Sequence, residues 1–458
     1  RSDDPALHAG RARSLLAAGD VPAALGAYEE ALRRSASATD LLEELADVAS
    51  QTSAHAQAVA VLQRLGQEHP ASNALRRHQA RLELRLGRYE EMRRTLSGLD
   101  PAAETAEDSW LRGEAARLLE QGHDANRAFK RALDLDPGYL PAMTSLVYLH
   151  LDHDRINRAR HYAERAVQSH GDDPAVLADL ALVELAADRF EAAGSRVDLA
   201  LQRAPDDHWA LLTKARILTE QGEFQAATPL LERADELSPE NVDVLNALGW
   251  CLENAAMRRA ARETARGSPV RFSEPVGAMV AAAHDAYERS RRLRPDDLWL
   301  RRGVADTLDL SGRGDEARAH YRAIVEQITA SRAYDAAVIA VLGWCYSCLR
   351  DHERAIKTYI SALSTAARSK EARYLHFDLA LVMLSAGHGE QAMLEYRRGI
   401  DQVAGVAPPR RRGVLVVAGN DLTAARATGR VGSAGDQATQ AVVTQAVGLL
   451  DDALARPA

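Results

Sequence analysis

Four short stretches of this chain share one phase and decide its fold. They read ANRAFKRALDLDP at 125–137, ARHYAERAVQSHG at 159–171, AGSRVDLALQRAP at 193–205 and ATPLLERADELSP at 227–239. Each stretch begins 34 residues after the previous one, has alanine at its first and eighth positions, and ends in proline or glycine. Internal repeats of roughly 20–50 residues are typical of solenoids and related arrays, so we expect a repeat protein.

A further column of small residues precedes each stretch by 12 positions and consists of Gly113, Val147, Ala181 and Ala215. Small residues allow two helices to cross closely, and a proline ends a helix because it cannot continue the hydrogen-bond ladder. Phe129, Val197 and Leu231 share another column and are expected to fill the space between paired helices. The period therefore predicts one helix pair in every 34 residues.

The pattern resembles the tetratricopeptide repeat family, whose consensus has Leu-Gly in the first helix and Ala, an aromatic residue and Ala in the second. The matching residues are Leu342-Gly343, Ala355, Tyr359 and Ala362, and also Ala24, Tyr28, Ala31, Ala317, Tyr321, Leu379-Ala380, Ala392 and Tyr396. The resemblance implies an all-α, right-handed superhelical solenoid of antiparallel helix pairs with C-terminal capping helices. It covers residues 4–403, which would form about eleven pairs.

The eighth pair departs from the period. Consensus spacing from Gly249 would place the first alanine of the second helix at 261, whereas the pattern resumes at Ala283, so about 22 residues are inserted within 255–280. We expect an extended first helix and then a mobile loop containing Gly267, Pro269 and Pro275. The segment holds the five arginines Arg258, Arg259, Arg262, Arg266 and Arg271. It is either a tolerated loop insertion or a basic arm that clamps an acidic ligand.

Residues 404–458 leave the period altogether. Pro408–Arg412 is interpreted as a linker, and Val414–Ala427 and Gln437–Ala455 as two helices separated by Gly429–Gly435. Solenoid ends need a cap that covers the last open face, so we expect capping helices here. The alternative is a tail that binds a partner or dimerises.

In this family the first helices line the concave groove, and the register places every tryptophan on that face. Tryptophan is enriched at binding hot spots, so a row of indoles predicts an apolar docking surface with polar companions. The predicted ligand-binding residues are Trp110, Tyr148, Trp209, Arg216, Asn246, Trp250, Glu253, Trp299, Arg302 and Trp344. The alternative is that these rings pack against neighbouring repeats or beneath the inserted segment.

The sequence gives little indication of a catalytic or metal-binding site. Cys345-Tyr346-Ser347-Cys348 has no second cysteine pair, as a structural zinc site would normally require, and is interpreted as packing. No nucleophile–base arrangement stands out, so we expect no catalytic residue, metal or cofactor. A net charge of −8 and a pI of about 6.0 argue against a nucleic-acid-binding surface. Three cysteines and no apolar run of about 20 residues favour a cytoplasmic protein without a membrane span.

The leading functional hypothesis is an adaptor, a protein–protein interaction scaffold that binds a peptide or protein segment in its groove. One alternative is the sensor or regulatory repeat region of a larger signalling protein. Another is the substrate-recruiting part of an enzyme whose catalytic domain lies outside this chain, and a weaker one is a purely structural oligomer. The oligomeric state itself is not indicated by the sequence.

Overall fold

The computed structural model describes residues 4–35, 38–51, 54–69, 72–171, 173–265, 268–331, 336–365, 372–431 and 437–456. Within these ranges all regular structure is helical, which confirms the predicted all-α solenoid of helix pairs. None of the helices in these ranges combines the length and the apolarity that crossing a bilayer requires. The chain divides into two compact units, Arg1–Val183 and Glu184–Ala458, which are described separately.

Unit 1 is a succession of helix pairs joined by short turns. Its helices are α1 (Pro5–Ala17), α2 (Val21–Arg34), α3 (Thr39–Gln51), α4 (His55–Glu68), α5 (Asn73–Arg85), α6 (Tyr89–Ser97), α7 (Ala106–Leu118), α8 (Gly122–Leu135), α9 (Leu140–Asp152), α10 (Ile156–His170) and α11 (Pro174–Ala186), whose last residues belong to unit 2. A short 3-10 helix, Pro101–Ala103, precedes α7.

Unit 2 continues the same arrangement and then adds two helices of a different kind. Its helices are α12 (Phe190–Arg203), α13 (His208–Glu220), α14 (Phe224–Leu237), α15 (Val242–Glu263), α16 (Glu274–Leu293), α17 (Leu298–Leu310), α18 (Gly314–Ser331), α19 (Ala336–Cys348), α20 (His352–Thr365), α21 (Ala372–Ser385), α22 (Gly389–Val403), α23 (Pro408–Ala427) and α24 (Gln437–Ala455).

In each helix pair that carries the 34-residue period, residues of one sequence column occupy equivalent positions in the structure. The alanines of the first column are all fully buried, at 125, 159, 193 and 227. The turn between the two helices of a pair contains one residue with positive φ, and these residues are Glu120, Asp154, Asp188 and Gly222, again 34 apart. Side chains of Asp207 and Asn241 accept hydrogen bonds from backbone amides at the start of the following first helix, which is the usual way to satisfy free N–H groups there.

Aromatic rings of the second helices fit against glycines of the first helices. A methyl group added to Gly303 would lie 2.6 Å from the Tyr287 ring, and one added to Gly249 would lie 2.9 Å from the same ring. Gly343 has the same relation to Tyr359, at 2.8 Å. The ring of Tyr287 therefore fills space that only glycine leaves free on α15 and α17.

The inserted segment is mostly helix. It extends α15 to Glu263 and begins α16 at Glu274, so Pro275, predicted to lie in a loop, is in the first turn of α16. Met257, Val270 and Val276 are buried in an apolar cluster of their own that also includes Ala424 of α23. The segment is consequently packed against the rest of unit 2; Gly267 lies outside the described residues.

The tail after α22 does not begin with a linker at Pro408–Arg412, as the sequence suggested, because those residues form the first turn of α23. Proline is well tolerated at that position, where its missing N–H would be free in any case. The helix α23 packs mainly against α13, α15 and α21, which are all first helices of their pairs, and makes a smaller contact with α22; α24 packs against α21, α22 and α23. The groove face of unit 2 is therefore partly covered by the chain's own α23.

Arg410 anchors the start of α23. Its guanidinium is buried, pairs with Asp188 and with Glu220 at 2.6 Å, and donates to the Leu185 carbonyl at 2.6 Å. It also lies 5.3 Å from the centre of the Phe190 ring. Because charge-assisted hydrogen bonds are the stronger kind, this one side chain holds α23 against the turns that follow α11 and α13.

We expect Gly303→Ala to lower the free energy of unfolding by about 1–3 kcal/mol, because overpacking forces the Tyr287 ring or the backbone to shift. Gly277→Ala, on α16 where an added methyl group meets nothing within 4 Å, should instead raise it by about 0.5–1 kcal/mol. Urea denaturation followed by tryptophan fluorescence measures both variants. Equal effects of the two substitutions would show that the Tyr287 site is not tightly packed.

Arg410→Ala should lower the free energy of unfolding by about 1.5–3 kcal/mol, the usual loss for hydrogen bonds to charged groups. Arg411→Ala is the matched control, because the neighbouring Arg411 forms no ion pair among the described residues and a surface change there should cost less than about 0.5 kcal/mol. Hydrogen exchange of α23 amides provides the local readout. Unchanged protection of α23 in Arg410→Ala would contradict the anchoring role.

Candidate ligand-binding cavity

Unit 2 contains a cavity of about 440 Å³ between the first helices and α23. That volume is in the range of small-ligand pockets. The helices α13, α15, α17 and α19 supply one side of it, and Asn420, Asp421 and Arg430 supply another from α23 and the residues just after it. The cavity therefore exists only because the tail folds back over the groove.

Seven of the ten predicted ligand-binding residues line this one cavity. They are Arg216, Asn246, Trp250, Glu253, Trp299, Arg302 and Trp344. Trp250 and Trp299 are 36% and 44% exposed, which makes them the most exposed tryptophans of the described residues. Trp250 also makes an edge-to-face contact with Phe224 at 5.3 Å. The two rings thus offer apolar surface that no other part of unit 2 covers fully.

Trp344 faces the groove but is only 5% exposed. Its ring lies between two guanidinium groups, 4.5 Å from that of Arg302 and 4.9 Å from that of Arg430. Its indole N–H donates to Asp306 at 2.8 Å. The predicted row of exposed indoles is therefore interrupted at Trp344, because Arg430 from the tail covers it.

Asp306 is the acceptor that organises this end of the cavity. One of its oxygens accepts from Trp344 and, at 2.6 Å, from the Tyr321 hydroxyl, and the other accepts from Arg302 at 3.1 Å. These bonds fix the positions of an indole, a phenol and a guanidinium that come from three different helices. Asp306 is thus satisfied by the protein itself.

The charges of other carboxyl groups in the cavity are less well compensated by hydrogen bonds and opposite charges. Burial, together with the nearby charges of Asp306 and Asp421, raises the pKa of Glu253 to about 8, even though Tyr287 donates a hydrogen bond to it at 3.3 Å. Burial likewise raises the pKa of Asp421 to about 6, and it raises the pKa of Asp309 above its ordinary value. A nearby positive charge would favour the ionised form of these carboxyl groups and lower their pKa values.

The remaining predicted residues lie elsewhere. Trp209 is half-buried beneath Arg216, whose guanidinium is 5.4 Å from its ring, and it does not line the cavity. Trp110 and Tyr148 lie in unit 1, where Trp110 donates to Ser145 at 3.0 Å and Tyr148 donates to Asp179. These two rings are held by polar partners within unit 1.

The five arginines of the inserted segment separate into different environments. Arg258 and Arg262 line a second cavity, described below. Arg259 pairs with Glu263 at 2.6 Å, and Arg271 is exposed before α16. Arg266 lies outside the described residues. The described arginines therefore do not form a single basic arm that reaches over the groove.

Sequence reasoning missed Asn420, Asp421 and Arg430, which the tail contributes to the cavity, because the tail was interpreted as a linker and a cap. The Asn420 amide donates to the backbone and side-chain oxygens of Asn254, both at 3.1 Å. A usable signal was present, since residues 414–418 of α23 form an unbroken apolar run, and a helix segment that is apolar all round is buried.

Comparison with known proteins agrees with this architecture. Residues 10–73 and 144–208 match the family model described as tetratricopeptide repeat. A structure of the human IFIT1 dimer with m7Gppp-AAAA superposes with a TM-score of 0.50 at 15% identity, covering 82% of this chain and 94% of that chain. A thermophilic TPR protein of Thermus thermophilus gives a TM-score of 0.36 at 19% identity, covering 44% of this chain and 99% of its own.

The likeness to IFIT1 is one of fold alone at this level of identity. The family match covers separate parts of the chain, and the helix pairs and the 34-residue period extend the same pattern between and beyond them. The chain thus contains tetratricopeptide repeats in at least these two segments.

Proposed function

We propose that the chain is a peptide-binding scaffold whose acidic cavity in unit 2 receives a lysine or arginine side chain of its partner. The observation that carries this proposal is the composition of the cavity wall. Six carboxyl groups line it, at Glu220, Asp243, Glu253, Asp306, Asp309 and Asp421, against three guanidinium groups, at Arg216, Arg302 and Arg430. Repeat proteins of this kind commonly use such extended concave surfaces for binding.

Glu220 is already paired with Arg410, and two of the three cavity arginines are engaged as well. Arg302 pairs with Asp306, and Arg430 bonds to Cys348 and Thr428 while stacking on Trp344. Glu253 and Asp421 have no ion-pair partner among the described residues. A cationic group placed between these two carboxyls would lower the pKa of each and thereby favour binding.

The two exposed indoles favour a peptide cation over a simple metal ion. The rings of Trp250 and Trp299 are large apolar surfaces, and the faces of indoles attract lysine and arginine side chains. The stems of those side chains are also apolar and pack well against rings. In addition, no group of three or more metal-ligating side chains occurs within the described part of the chain.

Binding can be tested with immobilised hexapeptide pools that have random flanks and a fixed central lysine, arginine, norleucine or glutamate. We expect the lysine and arginine pools to capture the purified chain in preference to the other two. The double change Glu253→Gln with Asp421→Asn should lower capture about tenfold, the loss expected for one charged interaction of about 1.4 kcal/mol. Surface plasmon resonance provides the measurement.

Glu263→Gln, on α15 but paired with Arg259 outside the cavity, is the matched control and should leave capture unchanged. Trp299→Ala should weaken capture without altering the helical circular dichroism. Equal capture by all four pools would contradict the proposal. Preferential capture by immobilised m7Gppp-AAAA would also contradict it, and would overturn the sequence-based expectation that nucleic acid is not bound.

The pH dependence of binding follows from Glu253. Its pKa of about 8 in the free protein leaves it largely neutral at pH 7, and a bound cation lowers that pKa. Binding must then release up to one proton below pH 8, so affinity should rise from pH 6.5 to pH 8 and level off above that range. Burial is the largest cause of this raised pKa; of the groups that face Glu253, Asp306 and Asp421 raise it further, whereas Arg302 and Tyr287 lower it.

Calorimetry with an arginine hexapeptide from the pools, in buffers of different ionisation enthalpy, counts the released protons directly. An arginine peptide keeps its own charge through this range. Glu253→Gln should abolish most of the proton release. A rise of affinity toward low pH would rule out ionised Glu253 as the group that meets the cation.

A further inference from the structure

A second cavity in unit 2 has the opposite charge. It measures about 350 Å³ and lies between the extended part of α15, the middle of α23, and α24. Arg258, Arg262 and Arg426 line it, against Asp451 as its one carboxylate among the described residues. This cavity shares Asn420 with the acidic cavity but otherwise has a separate wall.

Two of the three arginines lack a counter-charge at bonding distance. Neither Arg258 nor Arg262 has a hydrogen bond or ion pair with any residue that the structure describes, whereas Arg426 donates to the Ser268 carbonyl at 2.7 Å. Burial, with the repulsion of Arg262, lowers the pKa of Arg258 below its usual value. A half-buried guanidinium without a partner is costly, and an anion beside it would remove that cost.

The arrangement is specific to these positions on α15. Arg259 lies between them in sequence but pairs with Glu263, so it does not line the cavity. Arg258 and Arg262 are four residues apart and therefore occupy the same face of the helix. Their common direction is toward α23 and α24.

The rest of the wall is apolar or already satisfied. The α24 side contributes the half-buried Val447 and Leu454, whereas Val443, Leu450 and Leu415 of α23 are almost fully buried. The hydroxyl groups of Thr264 and Thr423 donate to backbone carbonyls of their own helices. One end of the cavity is thus cationic, while the opposite wall offers aliphatic surface.

We propose that this cavity binds a small amphiphilic anion, with a phosphate or carboxylate head at Arg258, Arg262 and Arg426 and an aliphatic chain against α24. Arginine recognises both head groups by paired hydrogen bonds. The aliphatic wall contributes the binding of the chain through removal of apolar surface from water. This site goes beyond the proposed peptide function, since it uses a different cavity and the opposite charge.

Calorimetry on the full chain with n-octyl phosphate below its micelle concentration tests the proposal, with inorganic phosphate and n-octanol as the two half-ligands. Octyl phosphate should saturate one site and bind at least about tenfold more tightly than either half-ligand. Arg258→Gln with Arg262→Gln should weaken it by at least about tenfold, and Arg259→Gln should leave it unchanged.

A second variant controls for an indirect structural effect of replacing both arginines. Thr444→Asp adds a negative charge at an exposed position on the rim and should weaken octyl phosphate without loss of helical circular dichroism. Binding of inorganic phosphate as tightly as octyl phosphate would overturn the amphiphilic assignment. Equal binding of octanol, insensitivity to the arginine changes, or no saturable binding would overturn the anion site.

Discussion

The ring of Tyr287 fits between α15 and α17 only because Gly249 and Gly303 leave room for it. That close approach sets the spacing of the first helices, and the spacing sets the distance between Trp250 and Trp299 at the mouth of the acidic cavity. The hydroxyl of the same tyrosine donates to Glu253. Helix packing and cavity chemistry therefore meet in one side chain, so a residue that looks like ordinary repeat core also positions a polar group.

The second constraint is the return of α23 over the groove face. Val416 and Val417 join the cluster of α13 and α15, while Leu415 and Leu422 join that of the later helices. Burial of these residues removes apolar surface that an empty groove would expose, and Arg410 fixes where the helix starts. What remains open is not a long trough but a cavity with a roof, which suits an inserted side chain better than an extended segment lying along the whole array.

The fold was predictable because its signal is repeated, and the cavity was predictable only in part because its signal is not. Recurring alanines and the aromatic residues between them specify helix pairs wherever they occur, and the register grouped Trp250, Glu253, Trp299 and Arg302, which line one cavity. The same register could not show that Arg430 covers Trp344, since residues outside the period have no column to be placed in. The prediction of a loop in the inserted segment was wrong for a related reason. Its prolines suggested a loop, whereas Pro275 is tolerated in the first turn of α16.

The position of α23 also limits how this array can change in length. Repeat arrays ordinarily gain or lose whole helix pairs, and each pair adds a step of roughly 10 Å between neighbouring helices. Here one added or deleted pair between α15 and α22 would carry the tail a full step along the groove, so that Asp421 would no longer stand opposite Glu253. The position of the tail therefore restricts the number of helix pairs from α15 onward, although no residue of those pairs specifies that number.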